Sequence, residues 1–283
     1  MTKRFISNYH THNNFCDGKN TIEEVVLTAI DKGFLHLGIS SHAHIPNQED
    51  WTINDGKMEA YLHEVNRMKR KYANKINIYT GLEIDYFCQL GWYPSIIPYI
   101  EDLDYNIGSV HCFYKGDVWE DYYIDDTRES FEKGVDHIFH GNIQEAVRYY
   151  YNCIQTMVTQ YHPTIVGHID LIKKNNKGNY FFNEKDKWYR DLVEGVLSTI
   201  KSSSSIIEVN TGGIARFGSD LLYPSISILE EIYRKGMDIT VNSDCHHVED
   251  IDCYYEEAYH LLKDIGFDRV LFFTDKGWEA FKL

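Results

Sequence analysis

Residues 5–12 read Phe5-Ile6-Ser7-Asn8-Tyr9-His10-Thr11-His12, a short strand-like run that ends in an alternating His-x-His. Side chains of an extended chain repeat every two residues, so His10 and His12 stand on the same side of the strand end. Neutral imidazoles held together on one face are ready ligands for a divalent cation. Two further stretches place histidines at the end of an apolar run: His42-Ala43-His44 and Asp244-Cys245-His246-His247.

Outward from that run, strand-like segments alternate with helical ones from end to end. The expected strands are Phe5–Tyr9, His36–Ser40, Ile76–Ile84, Tyr105–Val110, Thr164–Gly167, Ser205–Asn210, Asp238–Asn242 and Arg269–Thr274. Most are short and continuously apolar, as strands buried on both faces of a parallel sheet are. Thr21-Ile22-Glu23-Glu24 is a capping box, and Gly33 closes the helix that it opens. Apolar residues at 143, 146, 147, 150, 154, 157, 158 and 161 form one helical stripe. Pro224 is expected in the first turn of a helix that Gly236 ends. Seven or eight βα units without a break in composition predict an α/β fold, a closed barrel spanning residues 1–283 as a single domain. The longest irregular stretches, near 44–56 and 112–142, each follow a strand that ends in His and are expected to cover a substrate.

The chemistry-bearing residues share one position. His10 and His12 follow the first strand and His42 the second; Glu83 and Asp85 end the third, and His111 follows the fourth. His168 and Asp170 follow the fifth, Glu208 and Asn210 end the sixth, and Asp244 and His246 follow the seventh. Parallel α/β barrels gather their reacting groups at the carboxyl ends of the strands, so these residues are expected to converge into a metal cluster. Singly, each has an ordinary alternative, since acids near strand ends often cap the next helix. Asn13, Asn14 and Gly18 make a turn role as natural for Asp17 as a metal role. Cys112 and Cys245 read as small apolar residues, and His44 and His247 as peripheral side chains.

Composition narrows the functional classes. The 283 residues are 43% hydrophobic and 14% aromatic, enough for a large core. A formal charge of −15 argues against a nucleic-acid surface. The six cysteines include no CxxC pair, which suits free thiols, and the N-terminus lacks the apolar stretch of a signal peptide. No window approaches the roughly 18 apolar residues of a membrane span. A cytoplasmic protein with no membrane or nucleic-acid partner is expected, and a homo-oligomer is left open.

Four motifs taken together resemble the PHP (polymerase and histidinol phosphatase) family. They are His10-Thr11-His12 with Asp17 downstream; Ser41-His42 after Gly38-Ile39-Ser40; Ser109-Val110-His111 with Gly167-His168-Ile169-Asp170; and Asn242-Ser243-Asp244-Cys245-His246. More narrowly the chain is similar to the stand-alone histidinol-phosphate phosphatases of that family. Gly81-Leu82-Glu83-Ile84-Asp85-Tyr86, Gly167-His168-Ile169-Asp170-Leu171-Ile172-Lys173-Lys174 and Glu208-Val209-Asn210-Thr211-Gly212-Gly213-Ile214-Ala215-Arg216 carry that likeness. A departure is Cys112-Phe113-Tyr114, where those phosphatases tend to have Phe-Ile-Asp.

The resemblance implies a distorted (β/α)7 TIM-like barrel of PHP type, with three divalent metal ions: zinc, manganese or iron. It implies His10, His12, Glu83 and Asp244 on the first metal, and Glu83 shared with a second that His111 and His168 complete. Asp17, His42 and His246 would hold the third. The implied activity is hydrolysis of L-histidinol phosphate, a small phosphate monoester of histidine biosynthesis, by metal-activated hydroxide. Glu83, Asp244 and His246 would serve that step, Arg216 would clamp the phosphate, and Lys173 or Lys174 would be the second cation. Trp51, Phe113, Tyr114 and Trp119 are loop aromatics that could stack on the imidazole. Competing readings are another PHP phosphoesterase, an amidohydrolase-like metalloenzyme, or a metal-binding protein without catalysis.

Overall fold

Short apolar strands can pair in parallel only if the chain returns to the same end between them, and here helices make those returns. The computed structural model describes residues 6–45, 50–54, 56–114, 122–218 and 221–283; Phe5 and Trp119 lie outside them. In chain order the elements begin with β1 (Ser7–Asn8), α1 (Ile22–Lys32), β2 (His36–Ile39), α2 (Met58–Tyr72) and β3 (Asn77–Thr80). β4 (Glu83–Phe87), β5 (Gly91–Trp92), β6 (Ile107–Ser109), α3 (Arg128–Phe139), α4 (Ile143–Tyr161) and β7 (Ile165–Val166) follow. Then come α5 (Lys187–Lys201), β8 (Ile206–Asn210), α6 (Gly212–Phe217), α7 (Ile226–Arg234) and β9 (Ile239–Asn242). The chain ends with α8 (Tyr255–Ile265), β10 (Arg269–Thr274) and β11 (Gly277–Lys282).

β1, β2 and β3 pair in that order, and a second sheet runs β5-β4-β6-β7-β8-β9. Two parallel bridges close the seams: Thr11 with Cys245, and His42 with Glu83. The His12 amide donates to the Cys245 carbonyl (2.9 Å) and the Ala43 amide to that of Glu83 (2.8 Å). The result is a distorted TIM-like barrel, with seven strands if β3 and β4 count as one kinked strand. Both seams close at ligand-bearing positions, so closure of the barrel and assembly of the site are one event.

Four expectations are corrected. Ile76–Ile84 is not a single strand: β3 pairs with β2 and β4 with β6, and the chain breaks at Gly81-Leu82. The Tyr105 ring packs against the break, where a Cβ on Gly81 would meet it at 2.3 Å, and the Tyr61 hydroxyl hydrogen-bonds the Gly81 carbonyl at 2.7 Å. Arg269–Thr274 is no barrel strand; it pairs antiparallel with β11, and Phe273 and Trp278 pack on Tyr9, by the strands' amino ends. The stretch 112–142 contains α3, capped by the Thr127 hydroxyl and anchored by buried Phe131, Val135 and Phe139. Pro224 precedes the cap Ser225 of α7 rather than sitting in its first turn, and Gly236 takes the left-handed conformation (φ 62°) just beyond the helix.

Elsewhere the helices form where their signals lie. The capping box at Thr21 and Glu24 has both reciprocal bonds, and Gly33 ends α1 at φ 84°. α4 buries Ala146, Val147, Tyr150, Ile154, Met157 and Val158 against the barrel wall.

Candidate metal centre

The candidate ligands lie within the strands or just beyond their carboxyl ends, Glu83 at the start of β4 and Asp244 two residues past β9 in a left-handed conformation (φ 49°). His10, Glu83, Glu208 and His12 are fully or almost fully buried, and His42, His111, His168 and Asp244 lie below 9% exposure. The Nε2 atoms of His10 and His12 face Glu83 Oε2 at 3.1 and 3.6 Å, and His12 Nε2 lies 3.0 Å from Asp244 Oδ1. On the other side of the same carboxylate, Glu83 Oε1 is 3.1 Å from His168 Nε2 and 3.5 Å from His111 Nε2. A third group joins His12, Asp17, His42 and His246, with His246 Nε2 3.3 Å from Asp17 Oδ2 and His42 Nε2 3.9 Å from Asp17 Oδ1. All nine expected ligand residues therefore come together, and Glu83 lies between the groups.

The donor set suits cations better than protons. His111 Nε2 and His168 Nε2 face each other at 3.2 Å, too close for two protonated rings. The rings of His12 and His246 stack at 4.0 Å, and those of His12 and His42 approach to 4.2 Å. Among the described residues, buried His10 Nε2, His42 Nδ1, Asp17 Oδ1 and Glu83 Oε2 make no aligned hydrogen bond, even where they face one another closely, although such atoms are normally satisfied. Imidazole and carboxylate are the donors that zinc, manganese and iron accept.

Two acids orient the imidazoles. Glu208 Oε1 accepts His10 Nδ1–H at 2.8 Å, and its other oxygen accepts the His168 amide at 3.1 Å. Asp85 Oδ1 does the same for His111 Nδ1 at 2.7 Å. Each fixes the tautomer that leaves Nε2 free for a metal. Ser109 Oγ donates to Glu83 Oε1 at 2.7 Å.

The field is strongly coupled. Burial pulls the His111 imidazole down, but Asp85 and Glu83 outweigh it and push it up to about 10. Burial, reinforced by His246 and His42, holds His12 well below the usual range. Glu83 and Asp244 are held well below the carboxylate range although burial opposes this, Glu83 by His10, His42 and His111, and Asp244 by Arg216 and His10.

The cluster opens into a cleft of about 470 Å³ lined by Trp51, Tyr123, Asp125, Lys174, Arg216 and Phe217, among others. Arg216, on α6, donates from Nη2 to Asp244 Oδ2 (2.8 Å) and from Nη1 to the Asp244 carbonyl (2.8 Å), with Nη1 also 2.9 Å from His246 Nδ1. Of the two lysines, only Lys174 reaches this cleft. Lys173 is a correction: its buried ammonium is held by Asp170 Oδ2 at 2.9 Å and the Leu222 carbonyl at 2.7 Å. Phe113 is also corrected, being in the core against Phe131 and Phe139. Tyr114 packs on Phe87. Trp51 does stand in the cleft, edge-on to His42 at 4.9 Å. His247 accepts the Glu249 amide, and His44 neighbours Tyr93; neither lines the cleft. Sequence reasoning left Glu208 and Asp85 without roles, although Glu208-Val209-Asn210 repeats the polar-apolar-polar spacing of Glu83-Ile84-Asp85. It missed Tyr123 and Asp125, which carry no local signal. A second cleft, about 1050 Å³, lies beside α5 and α7 and contains none of the histidines.

A closed α/β barrel with buried imidazoles and carboxylates at its strand ends defines a class, the barrel hydrolases built for divalent metals. The family model for the PHP domain matches residues 8–212, and the chain belongs to that family. It is 27% identical over 266 residues to a Bacillus subtilis histidinol-phosphatase, covering 87% of this chain and 96% of that protein. Two crystal structures share the fold: the hisK chain of Listeria monocytogenes (TM-score 0.77, 23% identity, 89% of this chain and 99% of that one), and a Lactococcus lactis histidinol phosphate phosphatase. The latter, complexed with zinc, L-histidinol and phosphate, has a TM-score of 0.68 at 22% identity and covers 97% of this chain and 98% of its own.

Proposed function

We propose that the chain is a metal-dependent phosphomonoesterase that hydrolyses L-histidinol phosphate to L-histidinol and phosphate. The observation that carries this reading is Arg216 set directly beside Asp244 and His246, over a nine-residue donor cluster and at the base of a cleft sized for one small metabolite. The complex of the Lactococcus lactis protein with zinc, L-histidinol and phosphate supports the choice of substrate.

His10, His12, Glu83 and Asp244 would hold one metal; Glu83, His111 and His168 a second; Asp17, His42 and His246 a third. Bound there, the metals supply an acidified water near neutral pH and positive charge for the phosphate oxygens. The protein's own groups do the rest. Arg216 presents a planar guanidinium to the same oxygens, and its attachment to Asp244 keeps it aimed before substrate arrives. Glu208 and Asp85 hold His10 and His111 in one tautomer. Trp51, Phe217 and Tyr223 supply the aromatic part of the cleft walls. In this reading residues 1–283 act as one unit in the cytoplasm. Among the described residues no helix is long and apolar enough to cross a membrane.

The test is phosphate release by the purified, metal-reconstituted protein from L-histidinol phosphate, p-nitrophenyl phosphate and a short single-stranded DNA. Fastest release from L-histidinol phosphate is expected. A preference for DNA would point to a nuclease of the same family and sink the assignment.

A further inference from the structure

Residues 122–126 run beside the strand end that carries His111. The Ile124 amide donates to the His111 carbonyl at 2.7 Å, and the Phe113 amide to that of Tyr122 at 3.0 Å. This segment is clamped from the far side. Asn175 Nδ2 donates to the carbonyls of Ile124 (3.2 Å) and Asp126 (3.1 Å), and the Lys174 ammonium to that of Asp125. Asp125 thus sits on a turn whose backbone is fixed at both flanks, between the strand ends that carry His111 and His168.

Its carboxylate, however, has been left over. It is partly buried and lines the cleft, and its charge acts on His111, Lys174 and Arg216. Yet among the described residues no cation lies within ion-pair distance of it: Lys174 is turned to the Asp125 carbonyl oxygen and to the Phe217 ring at 4.1 Å. Arg216 and the cluster, once it holds cations, attract anions to the cleft base. An unpaired carboxylate held rigidly there would weaken binding of a plain phosphate monoester by repulsion. It favours a substrate that carries its own positive charge close to the phosphate. An amino alcohol phosphate has that charge, an ammonium on the carbon adjoining the esterified one.

We infer that Asp125 is the specificity residue that pairs with the ammonium group of the substrate, so that the cleft selects phosphate monoesters of vicinal amino alcohols over uncharged ones. This deepens the reading above and rests on it for the site, although not for the imidazole. Its neighbour Asp126 also lines the cleft but is exposed, so water screens its charge more.

The experiment compares kcat/KM for matched pairs with and without the ammonium: L-histidinol phosphate against its deamino analogue, and ethanolamine phosphate against ethyl phosphate. In the metal-loaded native protein the ammonium member of each pair is expected to be preferred. Asp125→Asn, which keeps shape and removes charge, is expected to cut that preference about tenfold, chiefly through KM, whereas Asp126→Asn preserves it. Three results would overturn the inference: no preference in the native protein, an equal fall on both members of each pair in Asp125→Asn, or transfer of the effect to Asp126→Asn. If ethanolamine phosphate is hydrolysed and L-histidinol phosphate is not, the substrate named above fails while ammonium recognition stands.

Discussion

Both oxygens of Glu83 are committed to the cluster: Oε2 faces His10 and His42 at 3.1 and 2.9 Å, and Oε1 faces His168 at 3.1 Å. Its position at the kink between β3 and β4 lets a single side chain serve two groups of imidazoles. Glu208 acts one layer further out, because it touches no cleft but fixes His10 and the His168 backbone. Glu208→Gln, nearly the same in shape, is expected to weaken metal retention or activity by roughly 10–100-fold. Titration with zinc after chelation measures this, and native affinity with native turnover would show that His10 needs no anionic partner. Arg216→Ala is expected to lower kcat/KM about 100-fold by removing a preorganised partner of the phosphate oxygens. Arg216→Lys, lacking the planar fork, should restore little. Turnover within a factor of about two of native in the alanine variant would remove Arg216 from the reaction.

At the scale of elements, adjacent lysines show how far a sequence can be read. Lys173 and Lys174 are indistinguishable as a dipeptide, but the helical turn they share sends one inward to Asp170 and the other to the cleft. Lys173→Met would leave the buried Asp170 carboxylate without its cationic partner, with the Ser225 amide still donating to it. It is expected to cost about 3–5 kcal/mol in urea unfolding, and unchanged stability with weakened phosphate binding would return Lys173 to the site. The strand ends were legible because period-two spacing and apolar runs are local signals, and so were the capping box of α1 and the stripe of α4. The kink at Gly81 was not, since the Tyr105 ring that packs on it and leaves room only for glycine arrives from another part of the chain. Nor was the β10–β11 hairpin, whose first strand reads like any other apolar strand until its antiparallel partner is seen. Asp125 was invisible for the same reason: its place is set by pairing with His111 and clamping by Asn175, not by its neighbours in sequence.

Taken whole, the molecule closes its barrel where it builds its cluster: one seam is bridged by His42 and Glu83 themselves, the other by Thr11 and Cys245, each flanked by ligand residues. Cations bound between those strand ends would tie the seams together. Metal loading is therefore expected to raise the thermal midpoint, by an amount that grows with free metal as linkage requires. An identical melting curve with and without metal would separate the cluster from the fold. The account stands most directly on one assay: phosphate release from L-histidinol phosphate by the same preparation when metal-loaded, after chelation, and after metal is restored. It predicts turnover that is lost on chelation and regained on reconstitution. Release that survives complete removal of metal, or no release from the fully loaded protein, would contradict it.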